Sequence, residues 1–302
     1  MLYVIQTALE LGFLYAPVAL ALFLSYRILD IADLTTDGAF TLGAAVSVTV
    51  CAAGHPILAL PLAMAAGALA GFVTAFLQTR MGVPSILAGI VTNTGLYTVN
   101  LMVMGWSSNA SLLRQNTLFL MFRDTGIGGG WYKVLLAGTL TLTAAGLLTA
   151  FLGTRLGLSI RATGDNRDMV RASSVNPAFT ITVGLCAANA LTALSGALVG
   201  QSQRSANINI GTGMVVIGLA CLIIGETVLG RGSVLRGALA VFLGSVVYRL
   251  IYALALSSNL FPIECMKLIT AVIVGLAIAG PHLKKEALLQ RRRLAAARKG
   301  GG

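Results

Sequence analysis

The sequence predicts an all-α polytopic membrane protein, and its composition, its hydropathy and the distribution of its charges point to that fold class. Of the 302 residues, 57% are hydrophobic and only 10% are charged, and the mean hydropathy is +0.87. Soluble domains carry about 25% charged residues, so this composition indicates a chain that lies mostly in lipid. Apolar runs follow one another closely and leave no room for a large soluble domain.

Nine apolar runs are long enough to be membrane-spanning helices. They cover residues 4–26, 38–54, 56–79, 84–105, 132–153, 178–200, 213–230, 234–256 and 265–281. Most of the 21 Lys and Arg residues then lie on one side, above all in the Arg155–Arg171 loop and beyond Lys284. Because basic loops stay in the cytoplasm, we expect an outside N-terminus and an inside C-terminus. We divide the chain into a transmembrane domain, residues 1–283, and a basic cytoplasmic tail, residues 284–302.

Two of the predicted spans carry small residues at four-residue spacing. The positions are 63, 67, 71 and 75 in one span and 192, 196 and 200 in the other. Faces of this kind let helix backbones approach closely in lipid, so they predict a compact bundle.

Two short spans have similar glycine-containing starts. Thr36-Asp37-Gly38 opens the second predicted span, and Gly211-Thr212-Gly213 opens the seventh. Because the two are five spans apart, they enter the membrane from opposite sides. This pattern is typical of an inverted repeat, which we take as a hypothesis for the two halves that flank the Arg155–Arg171 loop.

Carboxylates cluster at membrane depth before the second span, at Asp30, Asp33 and Asp37. Such residues are costly in lipid unless they face water or partners. One interpretation is a broken helix that lines a solute path. The other is an inner-surface loop in which Asp33 or Asp37 caps the span that begins at Gly38.

Uncharged polar residues form two further groups inside predicted spans. These groups are Thr92, Asn93, Thr94 and Asn100, and Asn189, Thr192 and Ser195. Such side chains either bond neighbouring helices or bind a polar solute. From all three polar groups we select as candidate pathway residues Thr36, Asp37, Asn93 and Asn189.

A hydrophilic segment at residues 157–177, GLSIRATGDNRDMVRASSVNP, lies between two predicted spans. Its charges require water, and its arginines favour the cytoplasmic side. Asp165 or Asn166 can cap a short helix, and Asn176-Pro177 ends it. A short capped helix between two spans is suited to receive a push from a soluble partner.

Several function classes are excluded by the absence of their motifs. The chain has no HExxH, GxSxG or CxxC pattern, so we expect no catalytic residues and no metal site. It also lacks the phosphate-binding GxxxxGK[ST] loop, so any nucleotide chemistry must come from another chain. Topology signals and contacts with anionic lipid account for the net charge of +11, and nucleic acid is not an expected partner.

Three stretches resemble the permease subunits of ATP-binding-cassette importers. They are ADLTTDGAFTLGAA (Ala32–Ala45), IRATGDNRDMVRASSVN (Ile160–Asn176) and GMVVIGLACLIIGE (Gly213–Glu226). The resemblance runs from Leu2 to Pro281 and lies in the branch of branched-chain amino acid, ribose and nucleoside permeases. It is strongest to bacterial members that work with tryptophan- and tyrosine-type binding proteins. The second stretch is similar to the family's cytoplasmic coupling helix, which docks on the ATPase.

The resemblance implies a coupling element within residues 161–174. Its residues would be Arg161, Gly164, Asp165, Asn166, Arg167 and Arg171. Ser174 departs from the family pattern, because relatives often carry glycine before the Ile/Val-Asn pair, and this bears on the geometry of the helix end.

The resemblance also implies a function. The chain would be the translocation subunit of an importer and not an enzyme, without a cofactor, in a bacterial plasma membrane or the inner membrane of a Gram-negative cell. Its expected partners are a cytoplasmic ATP-binding subunit, an extracytoplasmic solute-binding protein, membrane lipid and a second permease subunit, most simply in a homodimer. The expected solute is small and polar, and an amino acid, especially an aromatic one, is favoured.

The residues alone leave two alternatives. An ion-coupled secondary transporter would use Asp33, Asp37 and Glu226, and a membrane scaffold would transport nothing. For Glu226, a local ion pair with Arg231 is the other interpretation.

Overall fold

The computed structural model describes residues 2–112, 115–124, 126, 129–230 and 232–257, together with residues 268, 271, 272 and 275. This part of the chain is mostly helical. The helices are α1 (Leu2–Leu22), α2 (Thr36–Ala52), α3 (Pro56–Thr79), α4 (Ser85–Val103), α5 (Leu118–Asp124), α6 (Tyr132–Gly153), α7 (Arg155–Asp165), α8 (Arg167–Ala172), α9 (Pro177–Gln203), α10 (Met214–Leu229) and α11 (Val234–Ser257). A π-helical turn, Phe23–Ile28, extends α1, and the strands are β1 (Asn109–Ser111) and β2 (Ser205–Asn207).

Six helical stretches among the described residues are long and apolar enough to cross a membrane, so the chain is a multi-pass membrane protein. They are Val4–Ile28, Ala59–Thr79, Ser85–Val103, Gly129–Gly153, Pro177–Gln203 and Val234–Leu256. Each corresponds to a predicted span. The helices α2 and α10 are apolar but shorter, with 17 and 16 residues, at the places where short spans were predicted. The predicted span 265–281 and the predicted tail 284–302 lie almost wholly outside the described residues.

The long helix α9 is the centre of the bundle and packs against α1, α2 and α3. It runs antiparallel to α1, because Ser195 meets Leu14 while Gly184 meets Leu29. It is also antiparallel to α3, where Gly67 meets Asn189 and Gly71 meets Leu185, and parallel to α2, so successive spans alternate in direction along the chain. The N-terminus and the arginine-rich α7–α8 segment therefore lie at opposite ends of the bundle.

On the N-terminal side, the two long connections are joined by a small sheet. Strand β1 pairs antiparallel with β2, and Asn109 lies opposite Asn207. The N–H of Leu112 donates to the carbonyl of Arg204 at 2.8 Å and extends the pairing. We call this structure the β1–β2 platform.

Small residues allow α3, α2 and α9 to touch through their backbones, as their spacing predicts. A Cβ atom at Gly67 would collide with the carbonyl oxygen of Asn189, and one at Gly196 would collide with the carbonyl of Phe40. In lipid, where no hydrophobic effect drives helices together, this close contact provides much of the packing energy.

Replacing Gly67 with valine should destabilise the bundle, because the added side chain has no space between α3 and α9. Overpacking of this kind costs about 1–3 kcal/mol or more. We expect a lower unfolding temperature and a smaller monodisperse fraction in detergent than for the native chain. Gly146→Val is the matched control, because a Cβ at Gly146 in α6 meets nothing within 4 Å. Equal losses in the two variants would contradict the packing role of Gly67.

Candidate functional site

The helix α2 begins deep inside the protein and not at a membrane surface. Asp33, Thr35 and Thr36 before and at its start are at most 3% exposed. Asp33 meets Asn189, which lies twelve residues after Pro177 at the start of α9. At 1.5 Å per residue this is about 18 Å along α9, close to the middle of this 27-residue helix. The start of α2 therefore lies at about half the depth of a membrane-spanning helix.

A cluster of hydrogen bonds holds this start in place. One carboxylate oxygen of Asp33 accepts the N–H of Thr35 at 2.9 Å, and the other accepts from Nδ2 of Asn189 at 2.7 Å. The Thr35 and Thr74 hydroxyls are 2.7 Å apart, and the Thr36 hydroxyl donates to the Asp33 carbonyl at 3.2 Å. Among the described residues no cation pairs with Asp33, so these neutral donors compensate its burial. The cluster ties the α1–α2 connection to α3 and α9.

Asp37, the second residue of α2, caps the N-terminus of a different helix. Its Oδ2 accepts the N–H of Gly213 at 2.9 Å, and its Oδ1 accepts the N–H of Val215 at 3.0 Å. The free N–H groups and the dipole at the start of α10 favour a negative charge at this point. Gly213 has φ of +84°, a conformation that favours glycine. The prediction that Asp33 or Asp37 caps the span beginning at Gly38 is therefore wrong for Asp37, because its carboxylate caps α10.

The two short helices thus meet at their N-termini, near the middle of the membrane. They run in opposite directions, because successive spans alternate. The backbone at Gly211 touches the Asp37 carbonyl, and the Gly211 N–H donates to the Thr41 hydroxyl at 3.2 Å. This is the arrangement that the inverted-repeat hypothesis predicts.

A polar cavity of about 330 Å³ lies where these helix ends meet, and we call it the mid-membrane cavity. Its lining residues are Asp37, Gly38 and Thr41 from α2, Asn93, Thr94, Tyr97 and Asn100 from α4, and Ile208, Asn209 and Thr212 from the segment before α10. Within this lining only Asp37 is a charged residue, and both of its oxygens already accept backbone hydrogen bonds. Oδ1 of Asn100 is buried without a hydrogen-bond partner. The cavity therefore offers hydroxyl, amide and phenol groups to a small polar molecule.

The candidate pathway residues divide between two places. Asp37 and Asn93 line the mid-membrane cavity. Thr36 and Asn189 belong to the hydrogen-bond cluster around Asp33 and do not line the cavity. Among the other predicted polar residues, the Ser195 hydroxyl donates a hydrogen bond to the Leu14 carbonyl of α1. Of the two interpretations offered for this residue, the contact between neighbouring helices therefore applies.

Tyr97, Asn209 and Thr212 line the cavity but were not predicted. Tyr97 stands in an apolar run, and Asn209 and Thr212 belong to the segment before α10, from which no candidate pathway residue was selected. The glycines at 211 and 213 were the available signal, because they permit the tight contact with α2.

At the end of the bundle away from the N-terminus, the predicted coupling element consists of two helices. We expected one element over residues 161–174, but Asn166 is extended and separates α7 from α8. Its Oδ1 accepts the N–H groups of Asp168 and Met169 at 3.0 and 3.1 Å, which confirms it as a cap. Arg161, Gly164 and Asp165 therefore lie on α7, and Arg167 and Arg171 lie on α8.

The helix α7 is attached to the elements that lead to the mid-membrane cavity. Gly164 packs directly on the carbonyl of Ile28, at the start of the connection to α2. The Thr163 and Thr180 hydroxyls, 2.8 Å apart, join α7 to α9. The helix α7 therefore contacts both segments that meet at the Asp33 cluster, namely the α1–α2 connection and α9.

An ion pair joins α1 to the end of α10 nearby. Nε of Arg27 lies 3.0 Å from Oε1 of Glu226. Both residues line a cavity of about 250 Å³, and Arg161 and Asp165 also belong to its lining. Arg231, the ion-pair partner that the sequence indicated for Glu226, lies outside the described residues.

Ser174→Gly should stabilise the end of α8. Ser174 has φ of +60°, and the N–H of Val175 bonds the Val170 carbonyl at 3.2 Å, as in a Schellman motif. Removing the side chain relieves a strain of about 1 kcal/mol, so exchange of the Val175 amide hydrogen should slow roughly fivefold. Ser173→Gly is the control, because φ at Ser173 is −88° and glycine gains nothing there. Slower exchange in both variants would contradict this explanation.

Known proteins similar to this chain agree with one another. The family model described as branched-chain amino acid transport system / permease component matches residues 4–280. The chain is 32% identical over 266 residues to the tyrosine transport system permease protein of Clostridioides difficile (strain R20291), covering 88% of this chain and 87% of that protein. It is 31% identical over 289 residues to the uncharacterized protein RP368 of Rickettsia prowazekii (strain Madrid E), covering 94% of this chain and 99% of the relative.

One solved structure shares the fold. It is an inward-facing conformation of a metal-chelate type ABC transporter, with a TM-score of 0.50 and 17% identity. The match covers 93% of this chain and 85% of the solved one.

Proposed function

Because the chain belongs to the family of branched-chain amino acid transport system permease components, we propose that it forms the path by which an ATP-driven importer carries an amino acid. It is the permease component of an ATP-binding-cassette importer and not itself an enzyme. ATP is hydrolysed by a separate ATP-binding subunit, and family membership removes the ion-coupled alternative and the inert scaffold. The observation that carries the proposal is the mid-membrane cavity at the meeting point of α2 and α10.

An amino acid as the solute is supported by the chemistry of this cavity. The charged residue of its lining is the negative Asp37, and a negative charge favours the ammonium group of an amino acid. Tyr97, Asn93 and Asn100 supply a ring and amide groups for the rest of the molecule. The tyrosine permease name of the Clostridioides difficile relative favours an aromatic amino acid.

The orientation that we propose is N-out and C-in, with nine spans in a bacterial plasma membrane, which is the inner membrane if the cell is Gram-negative. It rests on the excess of arginine at the α7–α8 end and on the basic residues from 284 to 302. The β1–β2 platform then faces outward, where a solute-binding protein delivers the amino acid.

The functional unit that we propose is a homodimer. Tyr97 is 51% exposed although it lines the mid-membrane cavity, and Thr94 beside it is also exposed. The cavity is therefore open along α4 in the single chain. A second copy packed on this side would enclose it and shield the solute from lipid.

The transport cycle follows from the connections of α7. Closure of the ATP-binding subunits pushes α7 and α8, and the contact between Gly164 and Ile28 passes this movement to the start of α2. The hydrogen bonds from Gly213 and Val215 to Asp37 then rearrange, because α2 moves relative to α10. Access to the cavity changes from the outer to the inner side.

Arg167→Glu together with Arg171→Glu should uncouple transport, because the two exposed positive charges of α8 become negative and repel the surface on which they dock. We expect ATP-dependent uptake of radiolabelled tyrosine into proteoliposomes to fall at least about tenfold, equivalent to about 1.4 kcal/mol. The reconstituted system contains the ATP-binding subunit and the solute-binding protein.

The control for this charge reversal is Arg155→Glu, an exposed arginine at the start of α7 outside the proposed docking residues. Normal uptake by the double variant would argue strongly against docking at α8. Uptake that persists without ATP and collapses with a protonophore would argue for ion coupling.

Asp37→Asn should impair transport while leaving the chain folded. The amide retains the shape of the carboxylate but loses its charge, and a hydrogen bond to a charged group contributes about 1.5–3 kcal/mol. We expect tyrosine uptake to fall roughly tenfold or more, because the start of α10 is no longer held against α2. Asp30→Asn, at an exposed carboxylate of the same connection, is the matched control and should transport normally. The proposal fails at this point if the two variants transport equally.

A further inference from the structure

An amphipathic groove lies between the end of α3 and the start of α9, away from the mid-membrane cavity. It consists of two adjoining cavities of about 590 and 320 Å³, which share Thr79 and Ala178 in their walls. We call the combined feature the inner groove. One of its halves is aromatic and the other is polar.

The aromatic half lies against three phenylalanine rings. Phe72 and Phe76 are on the last turns of α3, with ring centroids 6.4 Å apart, and Phe179 is on the first turn of α9. These side chains are 50, 47 and 56% exposed. They stand at the ends of two spans, at the level where hydrocarbon meets the lipid headgroups.

The polar half and its border carry positive charge. Arg80 lines the aromatic cavity directly after α3, and Arg167 and Arg171 line the polar cavity. Within the described part of the chain, neither Arg80 nor Arg167 forms an ion pair, and Arg171 has a single exposed contact with Asp168 at 3.6 Å. Arg80 is therefore available to an anion. Each guanidinium has five N–H donors, so Arg167 and Arg171 can donate to an anion in this cavity and still present positive charge to the docking surface of α8.

Gln78 provides a further hydrogen-bond donor in the polar half. Its Nε2 atom is buried and has no hydrogen-bond partner, although the residue lines this cavity. Buried amide groups are normally satisfied, so an acceptor that the polypeptide does not supply fits here.

We propose that the inner groove binds an anionic phospholipid of the cytoplasmic leaflet. An acyl chain lies against the three phenylalanine rings, and the phosphate lies among Arg80, Arg167 and Arg171, where it accepts from Gln78. A free phosphate ion would use only the polar half and leave the aromatic half exposed. The assignment to the cytoplasmic leaflet rests on the N-out orientation of the proposed function, but lipid binding does not depend on the identity of the solute.

Such a lipid would support the coupling element. Arg167 and Arg171 belong to α8, whereas Phe72, Phe76 and Arg80 belong to α3 or its end. One phospholipid therefore bridges α8 to the bundle. The stimulation of ATP hydrolysis by transport should then increase with the anionic lipid content of the membrane.

Native mass spectrometry of the purified complex with its ATP-binding subunit tests the proposal. The probes are phosphatidylglycerol and phosphatidylcholine with identical acyl chains. We expect at least fivefold greater retention of phosphatidylglycerol by the native chain, and loss of this preference in Arg80→Gln. Arg155→Gln, an exposed arginine of the same end outside the groove, should keep it. Arg80 is itself exposed, so its replacement should leave the chain folded, as size-exclusion profiles would verify.

Two further measurements distinguish a bound lipid from a bound phosphate ion. Phe179→Ala should weaken phosphatidylglycerol retention, and millimolar inorganic phosphate should not displace the lipid. Displacement by phosphate with no effect of Phe179→Ala indicates a phosphate site and overturns the proposal. Equal retention of the two lipids, or equal behaviour of the two arginine variants, also overturns it.

The outcome is distinguishable from failure of the proposed function. Equal retention of the two lipids by the native chain, together with normal tyrosine uptake, rejects the lipid site alone. Intact preference without uptake of tyrosine rejects the proposed solute alone.

Discussion

The structure depends on one contact inside the membrane, the pair of hydrogen bonds from the start of α10 to the carboxylate of Asp37. A helix that begins within the bilayer leaves N–H groups that no water can satisfy, and an unsatisfied group there costs several kcal/mol. A carboxylate at the same depth is equally unfavourable by itself. Each removes the cost of the other, so α10 can start at this depth because Asp37 of α2 lies beside it.

The hydrogen-bond cluster around Asp33 solves the same problem for α2. Thr35 and Asn189 donate to its carboxylate, so this acidic group is buried without a cation among the described residues. Because Gly164 of α7 contacts Ile28 just before this cluster, the α7–α8 end of the bundle is in contact with the connection that leads to α2. Asp33 holds the start of α2, and Asp37, four residues later, holds the start of α10.

Residues with a strong local signal were located correctly from the sequence. The cap at Asn166 follows from the side chain itself, and the close contacts of Gly67 and Gly196 follow from the spacing of small residues. Asn189 and Thr36 were grouped with Asp37 because all three are polar at membrane depth. Hydropathy measures depth but not direction around a helix, so it could not separate a side chain that faces the cavity from one that faces the Asp33 cluster.

The sequence by itself determined the membrane class, the positions of the spans within the described residues and the hydrophilic character of the α7–α8 segment, because each depends on local composition. Only the tertiary structure decided that Asp37 caps α10, 176 residues away along the chain, and that Asn209 and Tyr97 share a cavity. Such contacts depend on which helix ends meet at one depth. That meeting is set by the packing of all the helices around α9, and no local stretch of sequence records it.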